Sequence, residues 1–176
     1  MTASGDSRKK PGPPGSGGPD ELEYQRAVRR AMDLLAVRVH STHQLRTKLA
    51  RKFPPAAVER ALERIAGLAL LDDLEFAREY VRQRIARSPR SPGLLVHELR
   101  SRGVQPQTAA EAVASTLAEL GLTEQDLAEQ AARGKLGALA GQEEETRRLK
   151  LFRFLSSRGF QAAVARRVAD EMPGSP

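Results

Sequence analysis

The chain has 176 residues, a net charge of +7, no cysteine, no tryptophan and only 4% aromatic residues. That excludes disulfides and thiolate sites, which fits a reducing compartment, and argues against a platform of exposed rings for stacking single-stranded bases. No apolar run approaches the roughly 18 residues that cross a bilayer, so no membrane contact is expected. Residues 1–20, with Arg8-Lys9-Lys10 beside a Gly/Pro/Ser stretch, lack the apolar centre of a signal peptide; a disordered arm and a cytoplasmic product are expected.

A first helical unit is expected over residues 21–71. Leu22, Tyr24, Ala27, Val28, Ala31, Leu34 and Leu35 follow helical spacing. Ser41 is a good N-cap, and Gln44 three residues on completes a capping box for a helix with Leu45 and Leu49 on one face. Pro54-Pro55 breaks that helix and starts the next, which carries Val58, Ala61, Leu62 and Ile65 and closes around Gly67 to Leu71.

The second unit, 72–122, opens at Asp72-Asp73, read as a helix cap rather than a metal site, before the stripe Phe76, Ala77, Tyr80, Val81, Ile85. A turn at Ser88-Pro-Arg-Ser-Pro-Gly93 leads into Leu95, Leu99 and then Gly103, placed where a left-handed residue ends a helix. Ala109, Val113 and Leu117 follow. Thr123 caps the third unit, 123–172, in which Gly134, Gly137 and Gly141 weaken any long helix. Glu143-Glu144-Glu145 starts a helix containing Leu151 and Leu155, and Val164, Val168 and Met172 line the last one. Residues 173–176 form a short tail.

The same element thus occurs three times, as Leu45 to Phe53, Leu95 to Val104 and Leu151 to Phe160, each time with two leucines, a basic last turn and an apolar residue beyond it. Recurrence every 50 to 56 residues points to an all-α, elongated array of three tandem three-helix repeats, with function on an extended surface instead of in a pocket.

Chemistry is absent from this pattern. No Gly-rich phosphate loop ending in Lys-Ser/Thr, no HExxH and no GxSxG occurs, and His40, His43 and His97 are scattered, reading as polar surface residues. No catalytic residue, cofactor or metal is assigned. Phe53, Phe152, Phe154 and Phe160 read as packing residues.

Charge is banded. Residues 81–104 carry six Lys/Arg against one acid, and 105–145 carry two against eight, so a polyanion-facing surface alternates with acidic patches. The expected polyanion-binding residues are Arg82, Arg84, Arg87, Arg90, Arg100 and Arg102, opposed only by Glu98, with Lys48, Arg51, Lys52, Arg147, Arg148, Lys150 and Arg158. Asp72, Asp73, Glu75, Glu124, Asp126 and Glu129 are available to face a basic protein. DNA contact would be weak, salt-sensitive and non-specific.

Ser41-Thr-His-Gln-Leu45-Arg-Thr-Lys-Leu49, the helix after Pro55, and Leu70-Leu71-Asp72-Asp73-Leu74-Glu75-Phe76-Ala77 resemble the first repeat of the RecX family of bacterial RecA regulators. Leu95, Glu98, Leu99, Arg102, Gly103 and Val104 resemble its second repeat, and Leu151 to Phe160 its third. Two departures stand out: no glycine between Lys52 and Phe53, and Ser88 to Gly93 where a Lys/Arg-Gly element is usual. The resemblance implies binding along the groove of the RecA filament on DNA, with inhibition of recombinase and coprotease activity in recombination and repair and no chemistry by the protein itself. A monomer is expected. The alternatives are a non-catalytic DNA-binding protein acting mainly through phosphate contacts, since such modules can place a helix in the major groove, and an adaptor for another protein.

Overall fold

The computed structural model describes residues 18–172; residues 1–17 of the arm expected over 1–20, and the tail over 173–176, lie outside them. Among the described residues there are nine α-helices and no strand: α1 Pro19–Val37, α2 Thr42–Leu49, α3 Pro55–Gly67, α4 Asp73–Arg87, α5 Pro92–Arg100, α6 Pro106–Leu120, α7 Glu124–Leu136, α8 Glu144–Ser157 and α9 Ala162–Glu171. They form three successive sets of three, an all-α tandem-repeat fold. In each set the first and third helices pack together and the middle, signature helix lies against the third.

Local chemistry sets the helix ends. Pro19 enters the first turn of α1 with Asp20 and Glu21 against its positive end, so this helix begins inside the arm expected over residues 1–20. The Ser41 hydroxyl accepts from Gln44 N, but Gln44 Oε1 has no partner, so the expected capping box is only half made. At α4 the cap is Asp72, accepting from Leu74 N and Glu75 N; at α7 Thr123 and Asp126 complete a reciprocal box. Helix α3 stops at Gly67, after which Leu70 N returns to the carbonyl of Ile65. Gly134 is accommodated inside α7, which then tightens into a 3₁₀ turn at Gly137–Leu139.

Apolar periodicity decides what is inside. Leu45, Leu49, Leu95, Leu99, Leu151 and Leu155 are all fully buried. The buried side chains divide into two clusters. Ala31, Leu45, Leu49, Val58, Leu62 and Ile65 form the core of the first repeat alone, whereas a second cluster runs continuously from Phe76 through Leu139 to Ala169, joining repeats two and three. The array is therefore one repeat attached to a fused pair.

Candidate polyanion-facing surface and its joints

Adjacent repeats meet through one recurring contact. The Ser41 hydroxyl that caps α2 also donates to the carbonyl of Arg102 at 3.1 Å, in the turn that ends α5 of the next repeat. One repeat on, Ser91, which caps α5, donates its backbone N–H to the carbonyl of Arg158 at 3.1 Å, in the turn that ends α8. Both serines are buried. The turns carry Gly103 (φ +79°) and Gly159 (φ +82°), and a Cβ would fall 2.2 Å from His43 Cβ in the first case and 2.7 Å from Ser91 Oγ in the second. Glycine is required there both for the left-handed backbone and for the close approach. Thr42 N donates to Asp73 Oδ1 at 2.7 Å, a further tie between the first two repeats.

The basic band of the second repeat is largely neutralised from within. Glu98, on α5, accepts from Arg84 Nε and Nη2 at 2.9 and 3.0 Å and from the Tyr80 hydroxyl, and pairs with Arg90 at 3.0 Å. Burial alone would push its carboxyl up. The hydrogen bonds from Arg84 and Tyr80 and the neighbouring positive charges outweigh that and hold it below the usual carboxylate range. Burial and the Glu98 contact push the Tyr80 phenol up. Arg82 is not opposed by Glu98 at all: folding brings it to Glu75, Glu79 and Glu119 at 3.2, 3.8 and 3.2 Å. The expectation that Glu98 alone opposes the band therefore fails, because Glu75 and Glu79 reach Arg82 from its own helix and helix packing delivers Glu119 from 37 residues away in sequence. Arg102 stacks on Tyr80 with its guanidinium carbon 4.4 Å from the ring centre and donates to the carbonyl of Glu98. Of the six arginines, only Arg87 and Arg100 are exposed and make no ion pair with another described residue.

Arg158 binds the Ser88 hydroxyl and the Pro89 carbonyl and lies over Phe154; burial, then the charges of Arg90 and Arg84, push its pKa down. Arg148 pairs with Glu145 and Asp170, while Arg147 and Lys150 make no ion pair with another described residue. In the first repeat Arg51 and Lys52 are exposed in the turn after α2, and Lys48 lies against His40.

The acidic candidates are engaged as well. Asp72 and Asp126 cap helices, Asp73 ties the first two repeats, and Glu75 holds Arg82. Glu124 accepts from the backbone and side chain of Gln161, and Glu129 from Arg133 and Gln125.

His40 is 2% exposed, against the expectation of a surface residue. It packs where the first repeat turns toward the second, with Nδ1 2.9 Å from the carbonyl of Arg38 and Nε2 2.7 Å from Lys48 Nζ. Burial, then the charges of Lys48 and Arg38 against the pull of that carbonyl, leave its pKa below the ordinary value. Lys48 is likewise pushed down, by burial first and then by Arg38, Arg30 and Arg51. Sequence reading did not single out Arg30 or Arg38. The only available signal was that Lys48 occupies the place in its repeat that Glu98 occupies in the next.

No group of three metal-ligating side chains is found among the described residues, and no described helix is long and apolar enough to cross a membrane.

Family models describing the first, second and third three-helix domains of RecX match residues 27–64, 72–113 and 123–169. The chain is 39% identical over 156 residues to the regulatory protein RecX of Prosthecochloris aestuarii, covering 86% of this chain and 97% of that protein. It is 33% identical over 154 residues to that of Amycolatopsis mediterranei, covering 87% and 86%. A crystal structure of a regulatory protein RecX aligns with TM-score 0.71 at 26% identity, covering 84% of this chain and 73% of that one. RecX from Lactobacillus salivarius, at 16% identity and TM-score 0.70 over 86% and 97% of the two chains, has the same fold.

Proposed function

The chain belongs to the RecX family, and from that premise we propose that it is a regulatory protein of the cytoplasm that binds, as a monomer, to RecA filaments on DNA and restrains recombinase and coprotease activity. The observation that carries this reading is the recurring joint. A buried cap serine in each of the first two repeats is fixed to the signature turn of the following repeat, so the three signature turns, basic in the last turn of α2 and α5 and at the Arg158 cap of α8, succeed one another in a set order along the molecule. A surface of that kind follows a long, regular partner better than it encloses a small molecule. The protein performs no bond chemistry; it acts by occupying filament surface through contacts that weaken as salt rises.

The test is RecA ATPase and strand exchange on single-stranded DNA with the purified protein added below and at stoichiometry. Inhibition at either ratio supports the reading, and no effect at both refutes it. The engagement of all six candidate acids in caps, ties and ion pairs favours a second reading, in which DNA phosphates supply most of the affinity. Filament affinity that follows bare-DNA affinity across charge variants would select it.

A further inference from the structure

The first two repeats align through the signature with a shift of 50 positions. His40, Ser41, Leu45, Lys48 and Leu49 correspond to Arg90, Ser91, Leu95, Glu98 and Leu99, and Arg30 on α1 corresponds to Tyr80 on α4. In the second repeat this slot is neutralised internally, since the carboxylate at 98 takes Tyr80, Arg84 and Arg90. In the first repeat a lysine stands in its place. With Nδ1 donating to the Arg38 carbonyl, His40 is a neutral imidazole whose Nε2 accepts from the Lys48 ammonium, so it brings no negative charge. Arg38, Arg30 and Arg51 lie near enough for their charges to act on Lys48, and none of the four cations makes an ion pair with another described residue.

A cleft of about 260 Å³ adjoins this cluster at the joint between the repeats, lined by Arg38, Gln44, Glu79, Tyr80 and Arg102 among others. Its one carboxylate, Glu79, is already held by Gln83 at 2.7 Å and lies 3.8 Å from Arg82. The amide oxygen of Gln44 is buried there without a partner. A fold that gathers four like charges and supplies a counterion to the equivalent slot one repeat later leaves the first slot to an outside anion.

We propose that Arg30, Arg38, Lys48 and Arg51 form a binding site for the sugar–phosphate backbone of a nucleic acid, with the external phosphate filling the role that Glu98 fills in the second repeat. This rests on the proposed function and names the part of the chain that holds its DNA. A regular polyanion suits the site better than an isolated carboxylate, because exposed cations continue from it through Lys52 and the chain as a whole carries +7. Guanidinium forks and a lysine point charge are the groups that grip phosphate.

The decisive variant is Lys48→Glu, which writes the arrangement of the second repeat into the first. Binding of the full chain to a thymidine oligonucleotide and to a short duplex is followed by fluorescence anisotropy from about 50 to 300 mM salt, with thermal melting on the same samples. The expected result is a melting temperature equal to or above the parent's together with affinity lower by on the order of tenfold and a duplex salt slope reduced by about 0.9 for each phosphate no longer neutralised. Arg38→Gln, an exposed position, is expected to lower the slope by the share of one phosphate, and Arg87→Gln, away from the cluster, to lower affinity less than Lys48→Glu does. Unchanged affinity and slope in both Lys48→Glu and Arg38→Gln would overturn the proposal. So would a polyglutamate peptide that binds the parent as tightly as the oligonucleotide and ceases to bind the same variants, which would assign the site to an acidic protein segment. A parent protein that inhibits RecA yet binds no bare DNA would sink this site and leave the proposed function standing; loss of oligonucleotide binding with RecA inhibition unchanged would keep the site and remove it from the filament mechanism.

Discussion

Replacing Glu98 by glutamine tests whether one carboxylate organises the middle of the array. The substitution keeps the shape and one acceptor oxygen but leaves Arg84 and Arg90 without their counterion, with Arg158 close by. Breaking a buried pair by removing one partner costs about 3–5 kcal/mol, and an exposed pair contributes about 0–1 kcal/mol. The side chain of Glu98 is 12% exposed and those of Arg84 and Arg90 are 30% and 28%. The site lies between the two limits, and a loss of about 2 kcal/mol is expected, or roughly 4–8 °C in melting temperature at about 2–4 °C per kcal/mol. The pH dependence has a fixed sign. Because the folded carboxyl is held below its ordinary value of 4.5, its stabilisation is fully present above that pH and is lost as pH falls through the folded pKa. The gap between parent and Glu98→Gln, measured by thermal melting, should therefore be constant near neutrality and close below pH 4.5. Adding Arg90→Gln should recover part of the loss, since one unpaired guanidinium disappears. A gap under about 0.5 kcal/mol, or one that runs parallel through the acid range, would refute the reasoning.

Gly103→Ala and Gly159→Ala should each cost more than Gly121→Ala in thermal melting. All three pay about 1–2 kcal/mol for a left-handed residue, but only the first two press a methyl group into the preceding repeat, whereas Gly121 faces open space. Equal losses would show that the joints are not close contacts. Leu49→Ala, Leu99→Ala and Leu155→Ala should each cost about 2–5 kcal/mol; hydrogen exchange should show the first releasing α1 to α3 alone and the other two releasing α4 to α9 together, since the cores are separate. Uniform release in all three would argue for one cooperative core. His40→Gln should flatten the stability profile below pH 6.5. The folded imidazole titrates below that ordinary value, so the unfolded chain takes up the proton first and the parent loses stability as pH falls from there. Identical slopes would show that His40 is not held neutral.

The helices were legible because their signals are local: the leucine pairs, the cap residues Ser41, Asp72 and Thr123, and the proline opening α3 each act within a turn of themselves, while Ser91 as the cap of α5 and Pro106 at the start of α6 went unread. The reach of the charges was not. Arg82 sits in a basic stretch, yet Glu119 on α6 folds against it, and the acids at 73 and 124 serve as ties between elements far apart in the chain. Net charge per window counts ionised groups but not the partners that packing delivers. For the same reason the burial of His40 escaped notice: a histidine beside an N-cap reads as solvent-facing until the next repeat closes over its neighbours.

The missing glycine between Lys52 and Phe53 follows from what its turn has to meet. Gly103 and Gly159 let a turn press against the repeat before it, whereas among the described residues the turn after α2 makes no hydrogen bond of this kind to another repeat. It is one residue shorter, with Lys52 N and Phe53 N both returning to the carbonyl of Leu49, and no left-handed residue is needed. In the third repeat Arg147 stands at the position of Ser41 and Ser91, and among the described residues its backbone N–H bonds only within its own helix, to the carbonyl of Glu143. The same asymmetry governs charge. In the middle repeat Arg84, Arg90 and Arg102 are turned inward onto Glu98 and Tyr80, and the second turn's backbone is taken by Ser41. In the first repeat Lys48, held only by the neutral His40, and the arginines near it make no ion pair with another described residue. The first repeat thus leaves open what the middle one uses on its own carboxylates, and the richest basic stretch in the sequence is not the most available one on the surface.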